Sequence, residues 1–397
     1  MHLDLKTAGD SHGPGLTMIL SGIPAGLAFD TGFIAMELAR RRSGPGRSVR
    51  QDREADDFQV QGGVYHGVTT GAPIAVAVPN RVQDEGTGGV KLKRMRVPRP
   101  GHADLPGALK YGFDDIRPVA ERASARETAA RVVGGAVCKL LLRGLEISIC
   151  SRILSVGETE FPSELLYPTN DQVAEAPSNY APNTTHVSGA GITLMEEIVE
   201  KAEAGGYNLG AVIQIIGIGL PPGLGSHVDW KTRLDGRIGR AFLSVPAVKG
   251  IDIGDPEVHR MKSIHAQDQI VPDEAYPWIT RRTTNRAGGI EGGCTNGEPV
   301  IVTARFKPVP TSDEPLKSVE LKTGRGALAP TTRHDVCPAI GAATILENML
   351  AFVLADACLE KFGGDALSDI IAAREHYLMR LRNQKKEEKE HQRQKKQ

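Results

Sequence analysis

Two stretches of the chain, residues 125–142 and 338–360, are apolar around almost the whole helical circumference. A helix with no polar face must be covered on all sides, so both are expected at the centre of the fold. The second stretch carries Glu347, Asn348 and Asp356. That is too polar for a membrane span, and it reads as a core helix. Elsewhere the pattern is strand-like. Residues 16–20 run into Gly22-Ile-Pro-Ala-Gly-Leu27, and Ala211–Ile218 runs into Gly219-Leu-Pro-Pro-Gly-Leu224; helical patterns follow over Thr31–Arg42 and 230–242. Further on, Gly67-Val-Thr-Thr-Gly-Ala-Pro-Ile-Ala-Val76 matches Gly293-Cys-Thr-Asn-Gly-Glu-Pro-Val-Ile-Val302, each a turn feeding an alternating strand. Two matches in one order point to a duplication. The plainer alternative is that Gly-Pro turns recur in any glycine-rich chain.

These elements predict an α+β fold, a pseudo-symmetric layered body in which antiparallel strands cover long central helices. A single domain is expected over 1–365, built of two pseudo-repeats, 1–150 and 190–365. Residues 158–188, rich in Pro, Asn, Ser and Thr, read as an inserted surface loop. Residues 384–397 contain nothing apolar, so 366–397 is expected as a charged C-terminal helix or disordered tail.

Composition narrows the function. Lys+Arg and Asp+Glu both number 48, so no charge imbalance points to nucleic acid or a membrane surface. Aromatic residues at 5% leave little for base stacking. Asp4, Lys6 and Asp10 interrupt any leader-like run. Five cysteines without a CxxC pair predict free thiols in a reducing cytoplasm and no metal site. The 45 glycines fall in clusters, which suggests tight loops that bring backbone close to a ligand.

Polar residues gather in those loops. His12 in Gly9-Asp-Ser-His-Gly13 has room to face a ligand, although a lone histidine is more often structural. Arg40-Arg-Arg-Ser-Gly-Pro-Gly-Arg47 crowds guanidinium groups that repel one another unless a carboxylate or phosphate relieves them; a solvated face is the alternative. Arg99 and His102 are followed by Arg117, Arg122, Ser124 and Arg126. Ser124-Ala-Arg-Glu127 has the form of a capping box, which starts a helix just after Ser124 and puts Arg126 in its first turn, against the dipole. Residues 286–297 are glycine-rich enough to cradle a phosphate or a flat cofactor, without forming a dinucleotide fingerprint. Arg333-His334-Asp335 stands at the mouth of the second apolar helix, where anions are attracted, or where Asp335 simply caps. Together these residues describe a pocket for a small, strongly anionic ligand with acid/base groups at hand.

Several of these segments are long enough to compare with known families. Gly9–Gly13, Arg40–Arg47, Arg96-Val-Pro-Arg-Pro-Gly-His-Ala-Asp104, Glu121-Arg-Ala-Ser-Ala-Arg-Glu-Thr128, Asn285-Arg-Ala-Gly-Gly-Ile-Glu-Gly-Gly293 and Arg333-His-Asp-Val-Cys337 follow one another as in chorismate synthases, and residues 1–365 resemble that family. The resemblance implies a β-α-β sandwich, usually a cytoplasmic homotetramer. It implies an anti-1,4 elimination of phosphate from 5-enolpyruvylshikimate 3-phosphate, giving chorismate. The reaction has no net redox change yet needs reduced FMN, whose proposed role is transient electron donation. NADPH or a separate flavin reductase would supply the electrons. Carried onto this chain, the resemblance makes His12 and His102 the acid/base histidines and Asp335 the base near the flavin. Arg41, Arg47, Arg99, Arg126 and Ser124 become contacts to substrate or NADP. The flavin set becomes Arg122, Ala123, Ser124, Ala247, Gly292, Lys307, Pro308, Val309, Pro310, Thr311 and Arg333, with His334 a bystander. Two places depart from the family. Pro246 stands beside Ala247 where a polar residue is common, and residues 80–89 are short and lack a tryptophan, which bears on the lid or a subunit contact. Two other classes fit less well. Gly-Asp-Ser resembles one esterase signature, but no histidine has Asp three residues before it. An inactive anion- or flavin-binding protein would not need the histidines and Asp335.

Overall fold

In the computed structural model, which describes residues 3–47, 56–81, 94–161, 165–187, 191–273, 276, 278, 280–331 and 334–394, two antiparallel sheets enclose the long helices. The first half contains β1 (Asp4–Gly9), β2 (Gly15–Ser21), α1 (Thr31–Arg42), β3 (Gln59–Gly62), β4 (Ile74–Pro79), α2 (Asp104–Tyr111), α3 (Arg117–Arg122) and α4 (Thr128–Gly144). The second contains β5 (Ser148–Val156), α5 (Gly191–Ala204), β6 (Ala211–Ile218), α6 (Leu234–Leu243), β7 (Val248–Ile253), β8 (Val300–Phe306), α7 (Ala339–Phe362) and α8 (Leu367–Gln394). The sheet orders are β1-β2-β4-β3 and β5-β6-β8-β7, with every one of these neighbours antiparallel.

Strand periodicity explains the layers. Leu16, Met18 and Leu20 on β2, and Ile74, Val76 and Val78 on β4, are buried on one face, as a period of two requires. That face meets α4, which packs on β1 and β2; α7 packs on β5 and β6, and α4 and α7 pack on each other. By length and composition α7 is apolar enough to cross a membrane, but it lies inside the core.

Two turns, one in each half, meet alike. Leu27 N donates to Thr69 Oγ1 (3.0 Å) and that hydroxyl donates to Pro24 O (2.6 Å); Leu224 N donates to Thr295 Oγ1 (2.9 Å) and that hydroxyl donates to Pro221 O (2.7 Å). Threonine suits this position because a hydroxyl accepts and donates at once.

Four local expectations need correction. The capping box at Ser124 does not close. Residues Ala125–Glu127 form a 3₁₀ turn, Ser124 Oγ accepts from Arg126 N at 3.3 Å, and the Glu127 carboxylate instead takes Thr7 Oγ1 (2.6 Å) and Arg131 Nε (2.9 Å). Asp335 does not cap α7, whose N-cap is Pro338. The 158–188 insert is more than a surface loop: it holds the helix Asn170–Glu175, started by a Thr169–Gln172 capping box, and buries Tyr180 against Cys150 and Ile216. Finally, several glycines press backbone on backbone. A Cβ added to Gly341 would stand 2.3 Å from Arg41 O, and one on Gly46 would stand 2.8 Å from Cys337 N.

Gly341→Ala should therefore destabilise the protein by about 1–3 kcal/mol, overpacking outweighing about 1 kcal/mol of gained helix propensity. Gly326→Ala, whose added Cβ meets nothing within 4 Å, should stay within about 0.5 kcal/mol. Denaturant unfolding of both variants checks this.

Candidate functional site

The loop between β1 and β2 carries His12, and α3 supplies its partner. Glu121 accepts from His12 N (2.8 Å) and lies 2.9 Å from His12 Nδ1; Arg117 approaches the same carboxylate at 3.3 Å. Burial pushes the Glu121 carboxyl up, but His12 and Arg117 outweigh it and hold it below its ordinary value. From here a polar chain runs inward. Ser124 Oγ donates to Ser11 Oγ (3.1 Å), Arg126 Nε donates to Asn80 Oδ1 (2.9 Å), and the Asn80 amide donates to Asp10 O (3.0 Å) and Gly13 O (2.8 Å).

Asp56 is the centre of that chain. Its carboxylate accepts from Arg126 Nη1 and, at 2.8 Å, from Arg41 Nη2, with Arg42 at 3.5 Å. Burial alone would raise the Asp56 carboxyl, but Arg41 and Arg126 outweigh it and hold it below its ordinary value. Burial lowers the proton affinity of Arg41, and Arg126 and Arg47 add to that against the pull of Asp56. Arg47 then donates to Asp335 Oδ2 (2.7 Å) and to Arg41 O (3.2 Å). Among the described residues, Arg41, Arg42 and Arg126 surround Asp56, and Arg47 pairs with Asp335. Arg41 Nε and Arg47 Nε are buried without a partner among the described residues. Such an arrangement accepts an anion.

A second cluster lies at the start of α2. His102 Nδ1 is 2.5 Å from Asp104 Oδ1, and Arg99 donates to the same carboxylate through Nε (2.8 Å) and Nη2 (3.0 Å). Burial opposes the charge of Asp104, but His102 and Arg99 keep its carboxyl well below the usual range. The helices α2 and α3 pack as a short hairpin, Gly107 against Val119, so Asp104 at the start of α2 and Glu121 near the end of α3 share one end. Gly101 O accepts from Lys307 Nζ (2.7 Å), and Lys307 N donates to Ala247 O (3.0 Å). Asn208 Nδ2 holds the carbonyls of Val309 (3.2 Å) and Thr311, while Leu209 N donates to Val336 O (2.9 Å), beside Asp335. Thus segments 307–311 and 335–337 flank one short linker.

The fold therefore brings together His12, Ser124, Arg126, Arg41, Arg47 and Asp335, and next to them Arg99, His102, Lys307, Pro308, Val309, Pro310, Thr311 and Ala247. Ala247, past the end of α6, has φ +72°, a left-handed conformation. Ala123 closes α3. Arg122 turns away, donating to Thr7 O on β1 (2.9 Å). Gly292 lies near the opposite end of α6, where Gly293 O accepts from Leu234 N (2.9 Å), roughly 15 Å from Ala247 by helix rise. Arg333 and residues 82–89 of the short loop lie outside the described residues. Asp56 went unnoticed in the sequence because nothing local marks it; Asp104 and Glu121 stand inside the quoted motifs but gain their meaning only from the paired histidines. Ser11 is 2% exposed, which removes it as an esterase nucleophile.

Comparison with known proteins agrees with this geometry. The family model described as chorismate synthase matches residues 3–359. The chain is 41% identical over 392 residues to a chorismate synthase of Frankia casuarinae, covering 94% of this chain and 98% of that one. It is 43% identical over 393 residues to one of Saccharopolyspora erythraea, covering 95% and 96%. A crystal structure of chorismate synthase superposes with a TM-score of 0.75 at 33% identity, covering 96% of this chain and 99% of that one. The chain belongs to the chorismate synthase family, the phosphate-eliminating lyases that convert 5-enolpyruvylshikimate 3-phosphate to chorismate in the shikimate pathway of aromatic amino acid biosynthesis.

Proposed function

We propose that the Asp56-centred arginines and the Arg99–His102 pair form one active site for this elimination, with Asp335, His12 and His102 moving protons. The observation that carries this reading is the pair of buried Nε atoms of Arg41 and Arg47 that have no partner among the described residues. The substrate has two carboxylates and a phosphate. Arg41, Arg47 and Arg126, with Ser124, hold its anionic groups, and each charged hydrogen bond contributes about 1.5–3 kcal/mol. Arg99 and His102 face the departing phosphate. The Asp104 carboxylate fixes the His102 tautomer through Nδ1 and Glu121 does the same for His12, so both exchange protons through Nε2. Asp335, held by Arg47, takes the ring proton as phosphate leaves.

The family uses reduced FMN, and the residues here fit it. Burial lowers the proton affinity of Lys307, Lys249 adds to that, and no carboxylate pairs with either among the described residues. A phosphate would relieve both cations. The left-handed Ala247 backbone and segment 307–311 would hold the cofactor. When bound, reduced FMN would supply transient electron density that eases C–O cleavage. Enclosure by these loops keeps water from the reacting groups. We also infer that the two halves arose by duplication, which the paired Thr69 and Thr295 turns support. The single domain spans 1–365, and the enzyme works in the cytoplasm as a homotetramer. An outside reductase supplies the electrons, in keeping with the lack of a dinucleotide fingerprint.

Three outcomes follow. Phosphate release should require reduced FMN under anaerobic conditions, and His12→Ala, His102→Ala and Asp335→Ala should each lower kcat by roughly 10²–10⁴-fold; a variant with wild-type turnover removes that residue from the chemistry. NADPH alone should leave the flavin absorbance of an anaerobic mixture unbleached, whereas bleaching would assign reduction to this chain. Because the folded Asp104 carboxyl lies below its unfolded value, its contribution to stability is complete above about pH 4–5 and is lost as the pH falls through the folded value. Asp104→Asn should thus flatten the acid limb of the stability curve, read by urea unfolding between pH 3 and pH 6 (roughly the range where free carboxylates titrate).

A further inference from the structure

One cluster of charges lies outside the site. Glu37 and Arg40 on α1, Lys139 on α4 and Glu347 on α7 meet where the three helices pack, with Glu37 and Glu347 fully buried and Lys139 4% exposed. Lys139 Nζ donates to Glu37 and to Glu347 at 2.7 Å each. Arg40 donates to Glu37 (2.7 Å) and grips both oxygens of Glu347 at 2.8 Å. Ser151 Oγ donates to Glu347 (2.6 Å) and Asn348 Nδ2 donates to Glu37 (2.7 Å). Burial opposes ionisation of Glu347, but Lys139 and Arg40 outweigh it, and its carboxyl lies below its ordinary value. Two acids and two bases thus balance. A buried ion pair seldom adds net stability over apolar packing, so its contribution is sought in geometry.

We propose that this cluster positions Arg41 for the substrate. Arg40 and Arg41 are consecutive at the end of α1. Locking Arg40 onto Glu347 fixes that last turn and aims Arg41 at Asp56 and Arg126. The same helix α7 touches α1 a second time, where Gly341 lies under Arg41 O. The two attachments are six residues apart on α7, about 9 Å, and the residues entering α7 carry Asp335. The arginine that binds the anion and the carboxylate that takes the proton are therefore referred to one rigid element. Glu37, Arg40, Lys139 and Glu347 are positioning residues; they reach the substrate only through Arg41.

The inference rests on the assignment of Arg41 to substrate binding, and the test separates the two. In a double-mutant cycle on the full chain with reduced FMN supplied, the charge-balanced pair Lys139→Met/Glu347→Gln is combined with Arg41→Ala. The pair should raise KM for the substrate by roughly 10- to 100-fold with kcat and flavin affinity little changed. Added to Arg41→Ala it should produce almost no further rise. Arg40→Lys, which keeps the charge but loses the two-pronged grip, gives a second cycle should the pair fail to fold, with a smaller rise that also vanishes in the Arg41→Ala background. Multiplicative effects in a folded protein, or wild-type KM in Arg40→Lys, overturn the proposal, because a merely structural cluster would act independently of Arg41. Unchanged KM in Arg41→Ala alone overturns the assignment beneath it instead.

Discussion

Guanidinium groups that are to close on one ligand must first be held close to each other. At an effective dielectric constant of about 20, two like charges 4 Å apart repel by about 4 kcal/mol, and unlike charges attract as strongly. A carboxylate set between two arginines gains two attractions while the cations stay farther apart. Asp56 does this for Arg41 and Arg126, while Asp104 accepts from Arg99 and stands 2.5 Å from His102 Nδ1. Each anion is buried, so water does not compete for it. Preorganisation of the arginines follows from the buried carboxylates.

The fold makes this affordable by separating support from chemistry. The helices α4 and α7 are packed between the sheets, while His12, Arg47, His102 and Asp335 sit on the segments that join the elements. Glycines are needed where those loops cross. Gly46 and Gly341 let the Arg41–Arg47 turn lie directly on the approach to α7, so Arg47 reaches Asp335 across 288 residues of sequence.

The long helices, the matching Gly-Thr-Gly-Pro turns and the arginine-rich loops were legible in the sequence because each has a local pattern. The helix period marks α7, and the shared threonine marks the turns. The misread features all depend on distant partners. Glu127 looked like a capping residue, but Thr7 and Arg131 claim its carboxylate. Asp56 carries no local signal, since its partners lie 15 and 70 residues away. Gly292 illustrates the converse: a glycine-rich run announces close approach of backbone but not what approaches, and here the hairpin meets the start of α6.

The helix-borne charge cluster also divides unequally between the two halves of the chain. Glu37, Arg40 and Lys139 belong to the first half, and Glu347 and Ser151 to the second. Separated, the first half would carry an uncompensated cation on the face that should become its interior, and the second an uncompensated anion. Neither face can dry until the other covers it. The two halves are complementary in charge at their meeting surface. A half paired with a copy of itself would bury like charges together, so the sequence favours one heterologous closure and disfavours swapped assemblies between identical halves.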